Sequence, residues 1–260
     1  MKKIYLLLFI LGLFVFPSCG DKTNFEQSVS PASGARLKFY HAAPDATGIN
    51  IFANDTKISG ANTVSPFPPA VQTTPNLLVY GNSFPITDYA VLTAGSTNIK
   101  VSLPATATTT EIVAVTTTGT FDDGKYYSVY TYGVSPTYSA LILTDDFTAA
   151  DPKKAYVRLV NLLNPSTTVP TPNFDLIVNG ITISSAVGFA GKNSGFTPID
   201  AIAYGGTKAV VSVKSTALSF PGTASFTFQP YAGRFYTIYT SGIIGATGAK
   251  APTIYVSTNK

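Results

Sequence analysis

The stretch Asp123-Gly124-Lys125-Tyr126-Tyr127-Ser128-Val129-Tyr130-Thr131-Tyr132-Gly133 returns later in the chain as Ala232-Gly233-Arg234-Phe235-Tyr236-Thr237-Ile238-Tyr239-Thr240-Ser241-Gly242. Gly124, Tyr127, Tyr130, Thr131 and Gly133 come back as Gly233, Tyr236, Tyr239, Thr240 and Gly242, and most of the remaining pairs differ conservatively. Aromatic and β-branched residues running between glycines read as a strand entered through a turn. A repeat of this length makes the chain two copies of one β-domain.

Upstream of each copy the same order of segments appears. Ala35-Arg36-Leu37-Lys38-Phe39-Tyr40-His41 answers to Ala155-Tyr156-Val157-Arg158-Leu159-Val160-Asn161. Its period of two sets Leu37, Phe39 and His41 on one face and Arg36, Lys38 and Tyr40 on the other, the pattern of a half-buried strand. A proline turn follows, Ala43-Pro44-Asp45 in one copy and Asn164-Pro165-Ser166 in the other. Next come Ile49–Asp55 and Phe174–Gly180, whose Asn-Asp and Asn-Gly ends favour the positive φ of a tight hairpin. The spacing between copies grows from 120 to 125 residues here, which places a five-residue insertion within Pro165–Pro172, expected as a surface loop. Gly95–Leu103 aligns with Gly205–Val213, Glu111–Thr116 reads as a further strand, and the copies close on Ala140–Leu143 and Thr253–Val256.

A chain of 260 residues with 12% charged side chains and no long helical periodicity accommodates two such units. The architecture expected is two tandem immunoglobulin-like antiparallel β-sandwich domains, residues 35–150 and 155–260, joined through Asp151-Pro152-Lys153-Lys154. Helix should be nearly absent.

The N-terminus supplies an address. A basic start, Met1–Lys3, precedes 13 largely apolar residues, Ile4–Phe16, and then Pro17-Ser18-Cys19. That is the plan of a secretory signal over residues 1–18, shorter than the roughly 20 apolar residues a spanning helix needs. Cys19, the single cysteine, lies between Ser18 and Gly20 in a placement that resembles the lipobox of bacterial lipoproteins. The resemblance implies a lipidated Cys19, with residues 19–34 as its flexible spacer, and a protein held at the cell envelope through its N-terminal lipid. The outer membrane is the expected site, with surface and periplasmic faces both open. Without the leader's two lysines the chain has 15 basic against 13 acidic side chains, so no electrostatic basis for nucleic-acid binding remains.

Arg36–Asp45 with Asn50–Asp55, then Leu92-Thr93-Ala94-Gly95, then Gly124-Lys125-Tyr126-Tyr127, resemble in order the signature segments of the bacterial domain of unknown function 4397. That family is often secreted or lipid-anchored and often in tandem, and it carries no established activity. Its basic-apolar-apolar-His opening, followed by a small residue, a Pro and an Asp, matches Lys38–Asp45; the second copy has Asn161 in place of His41 and lacks the Asp.

Candidate chemistry is sparse. His41 is the sole histidine and has no His or Cys partner for a zinc site, so with Asp45 it is read first as a loop hydrogen-bonding group and second as a ligand contact. Asp122-Asp123, Asp145-Asp146 and Asp151 lack the interleaved spacing of a calcium loop. Tyr127 and Tyr236, present in both copies, are candidates for a shared packing role. Alternation sets Tyr126, Ser128, Tyr130 and Tyr132 on one face, which, if open, forms an aromatic strip for a sugar or a protein surface. No nucleophile elbow, phosphate loop or metalloprotease motif occurs, so no catalytic residue, metal or cofactor is expected and the protein is read as non-enzymatic. The reading is a lipid-anchored envelope protein presenting two β-sandwiches to an envelope protein or an extracellular glycan. Its alternatives are a structural or assembly component without a soluble ligand, and a glycan-binding accessory of a polysaccharide-uptake system.

Overall fold

The computed structural model describes residues 33–46, 48–59, 77–147, 151–192, 195–215 and 225–260. The leader, Cys19 and nearly all of the spacer lie outside the described residues.

The first copy contains β1 (Ala35–His41), β2 (Gly48–Ala53), β3 (Thr56–Lys57), β4 (Leu78–Val79), β5 (Ser83–Phe84), β6 (Ala90–Leu92), β7 (Gly95–Leu103), β8 (Ile112–Phe121), β9 (Tyr126–Val134) and β10 (Thr137–Asp145). The second contains β11 (Lys154–Asn161), β12 (Phe174–Val178), β13 (Ile181–Val187), β14 (Gly191–Lys192), β15 (Thr197–Asp200), β16 (Ala209–Lys214), β17 (Ser225–Phe228), β18 (Phe235–Ser241) and β19 (Thr253–Thr258). The only helical turn among the described residues is the 3-10 turn Gly248–Lys250. The all-β expectation holds.

Each copy is a sandwich of two sheets with one wiring. In the first, β10-β9-β1-β5, with β6 also on β1, faces β3-β2-β7-β8; in the second, β14-β11-β18-β19, with β15 also on β11, faces β13-β12-β16-β17. Leu37, Phe39, Ile49, Ile51, Ile99, Val101 and Val129 fill the first core, and Val157, Leu159, Leu176, Val178, Val211, Val213 and Ile238 the second. Each fully buried aliphatic side chain contributes about 1.5–3 kcal/mol by leaving water.

Pairing within the sheets is antiparallel, with one parallel pair in each copy. β1 runs parallel to β9 and β11 parallel to β18 in equivalent registers, Leu37 opposite Tyr127 and Val157 opposite Tyr236. Periodicity shows which face a residue takes; it says nothing of a neighbour's direction. The alignment of β7 with its counterpart also needs adjusting. Ala53 pairs with Ile99, while Val178 pairs with Val211, so Gly95 answers to Thr207, two residues from Gly205. An even shift leaves every side chain on its face, so the hydrophobic pattern could not detect it.

The turns behave as the repeat requires. Asn54 and Asp55 have φ of 45° and 65°, and Asn179 and Gly180 have φ of 47° and 82°. The Asn54 side-chain oxygen accepts the Asn98 N–H, and Asn179 accepts that of Val210, both at 2.9 Å. Gly133 and Gly242, at φ of 97° and 112°, leave the strand where a Cβ would meet the carbonyl oxygens of Thr137 and Ala251. Tyr127 and Tyr236 share a role too, each hydroxyl accepting a backbone N–H five residues upstream, from Asp122 and Tyr231, at 3.0 Å. The insertion within Pro165–Pro172 lies in a strand-free loop whose Val169 rests on the second core.

Candidate functional site

β1 is not half-buried. Lys38 is 0% exposed and Tyr40 1%, because the sheet β10-β9-β1 lays its outer face on the corresponding face of β11-β18-β19. The face bearing Tyr126, Ser128, Tyr130 and Tyr132 is therefore closed by the second copy, and no open aromatic strip exists there. Tyr130 is fully buried; it stacks on Tyr40 at 4.5 Å and meets Tyr239 edge-on at 5.7 Å. Tyr132 packs edge-on against Phe189 at 5.6 Å. Tyr126 keeps partial exposure beside Tyr89 and Phe147, with the Arg36 guanidinium over its ring.

The seam between the copies is built twice over. Lys38 donates to the Thr258 carbonyl at 2.9 Å, and its counterpart Arg158 donates to the Thr144 carbonyl, the counterpart position, at 3.4 Å. The Lys38 ammonium sits over Tyr89 and the Arg158 guanidinium over Phe196, which occupies the matching place before β15. Ser128 donates to Asp145 at 2.7 Å, and Thr237 donates to Asn259, again at 2.7 Å. Contacts that repeat with the partners exchanged define an interface with approximate twofold symmetry.

One substitution breaks the symmetry of charge. Asp145 of the first copy is Asn259 in the second, so among the described residues a single carboxylate is buried in the seam. Its Oδ1 forms an ion pair with Arg158 Nη2 at 2.5 Å, out of line for a hydrogen bond, while Oδ2 accepts from Tyr89 at 2.6 Å and from Ser128. Burial, and then the Asp145 charge, push the Tyr89 hydroxyl well above its usual range. Burial lowers the Lys38 ammonium despite the same carboxylate. A buried ion pair is tolerated when its remaining hydrogen-bonding capacity is met, as it is here by Thr237, Ser128 and Tyr89.

His41 and Asp45 each accept a backbone N–H, from different segments. His41 Nδ1 accepts the Ala43 N–H at 3.3 Å, so Nε2 holds the proton, and Nε2 lacks a well-aligned partner. The ring is 0% exposed, and burial drives its pKa down to about 4. Asp45 accepts the Ser135 N–H at 2.7 Å. Asn161, in the place of His41, is bonded at both ends, donating to the Pro172 and Val187 carbonyls and accepting from Thr240. The described residues hold no group of three or more His, Cys, Asp or Glu side chains placed for a metal ion.

Clefts open along the seam, three of them lined by described residues. One of about 380 Å³ is lined by Asp122, Lys125, Tyr126, Asp146, Phe147 and Lys260 among others. A second, of about 560 Å³, shares Asp146 and continues to Lys154, Tyr156, Phe196 and Phe235. Both mix carboxylates with ammonium groups, and their rings already have partners: Lys260 over Phe147, Arg158 over Phe196, and Tyr156 stacked on Phe235. The third, also about 560 Å³, lies between the 81–87 segment of the first copy and β19 of the second, and among the described residues Arg234 is the one charged residue lining it. Asn82, Ser83, Thr87, Ser257 and Thr258 add polar groups to it, and Ile86 and Val256 form an exposed aliphatic wall. The sequence reading missed this cleft, since its walls come from segments about 150 residues apart. The available signal was the pair of exchanges Tyr40/Val160 and Leu143/Ser257 between the copies.

Residues 35–169 match the family model described as "Domain of unknown function (DUF4397)". No curated protein matches. Among solved structures, a proposed cell adhesion protein from Bacteroides ovatus aligns at 10% identity over 86% of this chain and 98% of that one, with a TM-score of 0.21. Another, from Bacteroides fragilis, aligns at 8% identity over 83% of this chain and 84% of that one, with a TM-score of 0.19.

Proposed function

Since the chain belongs to the DUF4397 family, whose description assigns no activity, we propose from the site alone that it is a non-enzymatic, lipid-anchored binding protein of the cell envelope. The observation that supports this is the seam. Its buried network joins the two sandwiches into one compact unit, Ser33–Lys260, while leaving clefts along its edges. A rigid body with preformed clefts at an interdomain boundary suits ligand capture, because little order has to be gained on binding. The lipid at Cys19 and the spacer after it would hold that body at a distance from the membrane. Protease shaving of intact cells tests the address. With Cys19 the body should fractionate with membrane, and with Cys19→Ala it should be released; equal release of both forms would end the lipid-anchor reading. Cleavage on intact cells assigns the outer surface, and protection until the envelope is breached assigns the periplasmic face.

A further inference from the structure

We propose that the cleft between the 81–87 segment and β19 binds an acidic saccharide, with Arg234 meeting its carboxylate or sulfate; this deepens the binding reading above. The two copies keep some positions and exchange others. Several positions that hold the seam keep their chemistry, Lys38 with Arg158, Ser128 with Thr237 and Tyr130 with Tyr239, while Asp145 and Tyr89 give way to Asn259 and Phe196. Around this cleft Tyr239, Thr258, Val256 and Arg234 also keep theirs, matching Tyr130, Thr144, Ile142 and Lys125, and the exchanges fall at a few positions beside them. Tyr40 of the first copy and Ser257 of the second, whose hydroxyls lie 3.1 Å apart here, stand where the related edge of the seam has the buried aliphatic pair Val160 of the second copy and Leu143 of the first. Asn82, exposed at the rim, stands where the other copy has Gly191. At these positions this edge has hydroxyl and amide groups where the edge related by the approximate twofold axis has aliphatic side chains and a glycine, and Ser83 lies where that edge has Lys192.

The ligand class follows from the lining. Arg234 is exposed, and among the described residues no carboxylate lines this cleft, unlike the two clefts lined by Asp146. A guanidinium prefers a bidentate anion. Hydroxyl and amide groups suit the hydroxyls of a sugar, and Ile86, 81% exposed, with Val256 offers an aliphatic wall to its C–H face. A volume of about 560 Å³ falls within the range of small-ligand sites.

The test titrates the full chain in detergent micelles with a galacturonate trimer, a sulfated galactose trimer and the neutral galactose trimer. At least one acidic trimer should bind about ten-fold or more tightly than the neutral one, and whichever does so distinguishes carboxylate from sulfate. Arg234→Gln should lose that preference, and Ser257→Leu, which imports the residue of the other copy, should weaken binding with an unchanged Tm. Lys125→Gln, the equivalent change in the first copy, should bind as the parent does. Equal binding of acidic and neutral trimers, no binding of any, or full binding by Arg234→Gln would overturn the proposal. Retention of the Arg234→Gln protein on envelope protein or neutral glycan would leave the broader binding reading standing while removing this cleft.

Discussion

The two halves of the seam differ at its buried carboxylate and at the ring beneath each cation. The first copy brings Lys38, Asp145 and Tyr89; the second brings Arg158, Asn259 and Phe196 at the same places. A strictly symmetric pair with two carboxylates would bury like charges near one another, and a pair with none would leave two cations unmatched. Changing one Asp to Asn leaves one strong ion pair, with the amide Asn259 donating toward Tyr40, Tyr89 and Ser128. The neutral ring of Phe196 stands where no carboxylate needs a hydroxyl. The difference teaches that the copies have diverged as complementary halves of one interface.

The sharpest way to break that complementarity is Arg158→Met. It strands Asp145 in the seam and should cost about 3–5 kcal/mol in denaturant unfolding, whereas adding Asp145→Leu should recover much of the loss. A double mutant no more stable than Arg158→Met alone would show that the pair contributes through packing only.

The second comparison is His41 with Asn161. His41 is held neutral, with its pKa lowered to about 4 against 6.5 in the unfolded chain. Between those values the unfolded state binds the extra proton, so stability should fall as pH drops from 6.5 toward 4, by roughly 3 kcal/mol in all. His41→Asn, which installs the residue of the other copy, should flatten that slope in unfolding curves collected across the window. A slope unchanged by the substitution would place the titration elsewhere.

Gly133→Ala and Gly242→Ala should each cost about 1–3 kcal/mol, since both positions combine a positive φ with a carbonyl in the path of the new Cβ. Similar costs in the two copies are expected by thermal unfolding; a silent change in one would mean that its turn relaxes. The smallest effect belongs to Tyr127→Phe and Tyr236→Phe, each losing one hydrogen bond worth about 1 kcal/mol. Matching losses would confirm that the hydroxyl does the same task in both sandwiches.

Much of this fold was legible before any coordinates. The shared Gly124, Tyr127 and Gly133 mark a turn, an anchored tyrosine and a strand exit, and each performs that task in both copies. Asn54-Asp55 and Asn179-Gly180 announced their hairpins through the backbone preferences of the residues themselves. The candidate site was far less legible. Tyr126, Tyr130 and Tyr132 were rightly placed on one face, yet whether that face met water or protein depended on a sheet more than 100 residues away. Arg234 was visible only as the conservative partner of Lys125.

Local chemistry therefore determined the duplication, the strands, the turns and the faces, because each depends on side chains and backbone conformations within a few residues. Tertiary structure alone decided the parallel β1–β9 and β11–β18 pairs, the burial of Lys38, Arg158 and Asp145, and the cleft around Arg234. Those features arise where distant segments exclude water from one another, and periodicity along a single strand holds no information about what lies across it.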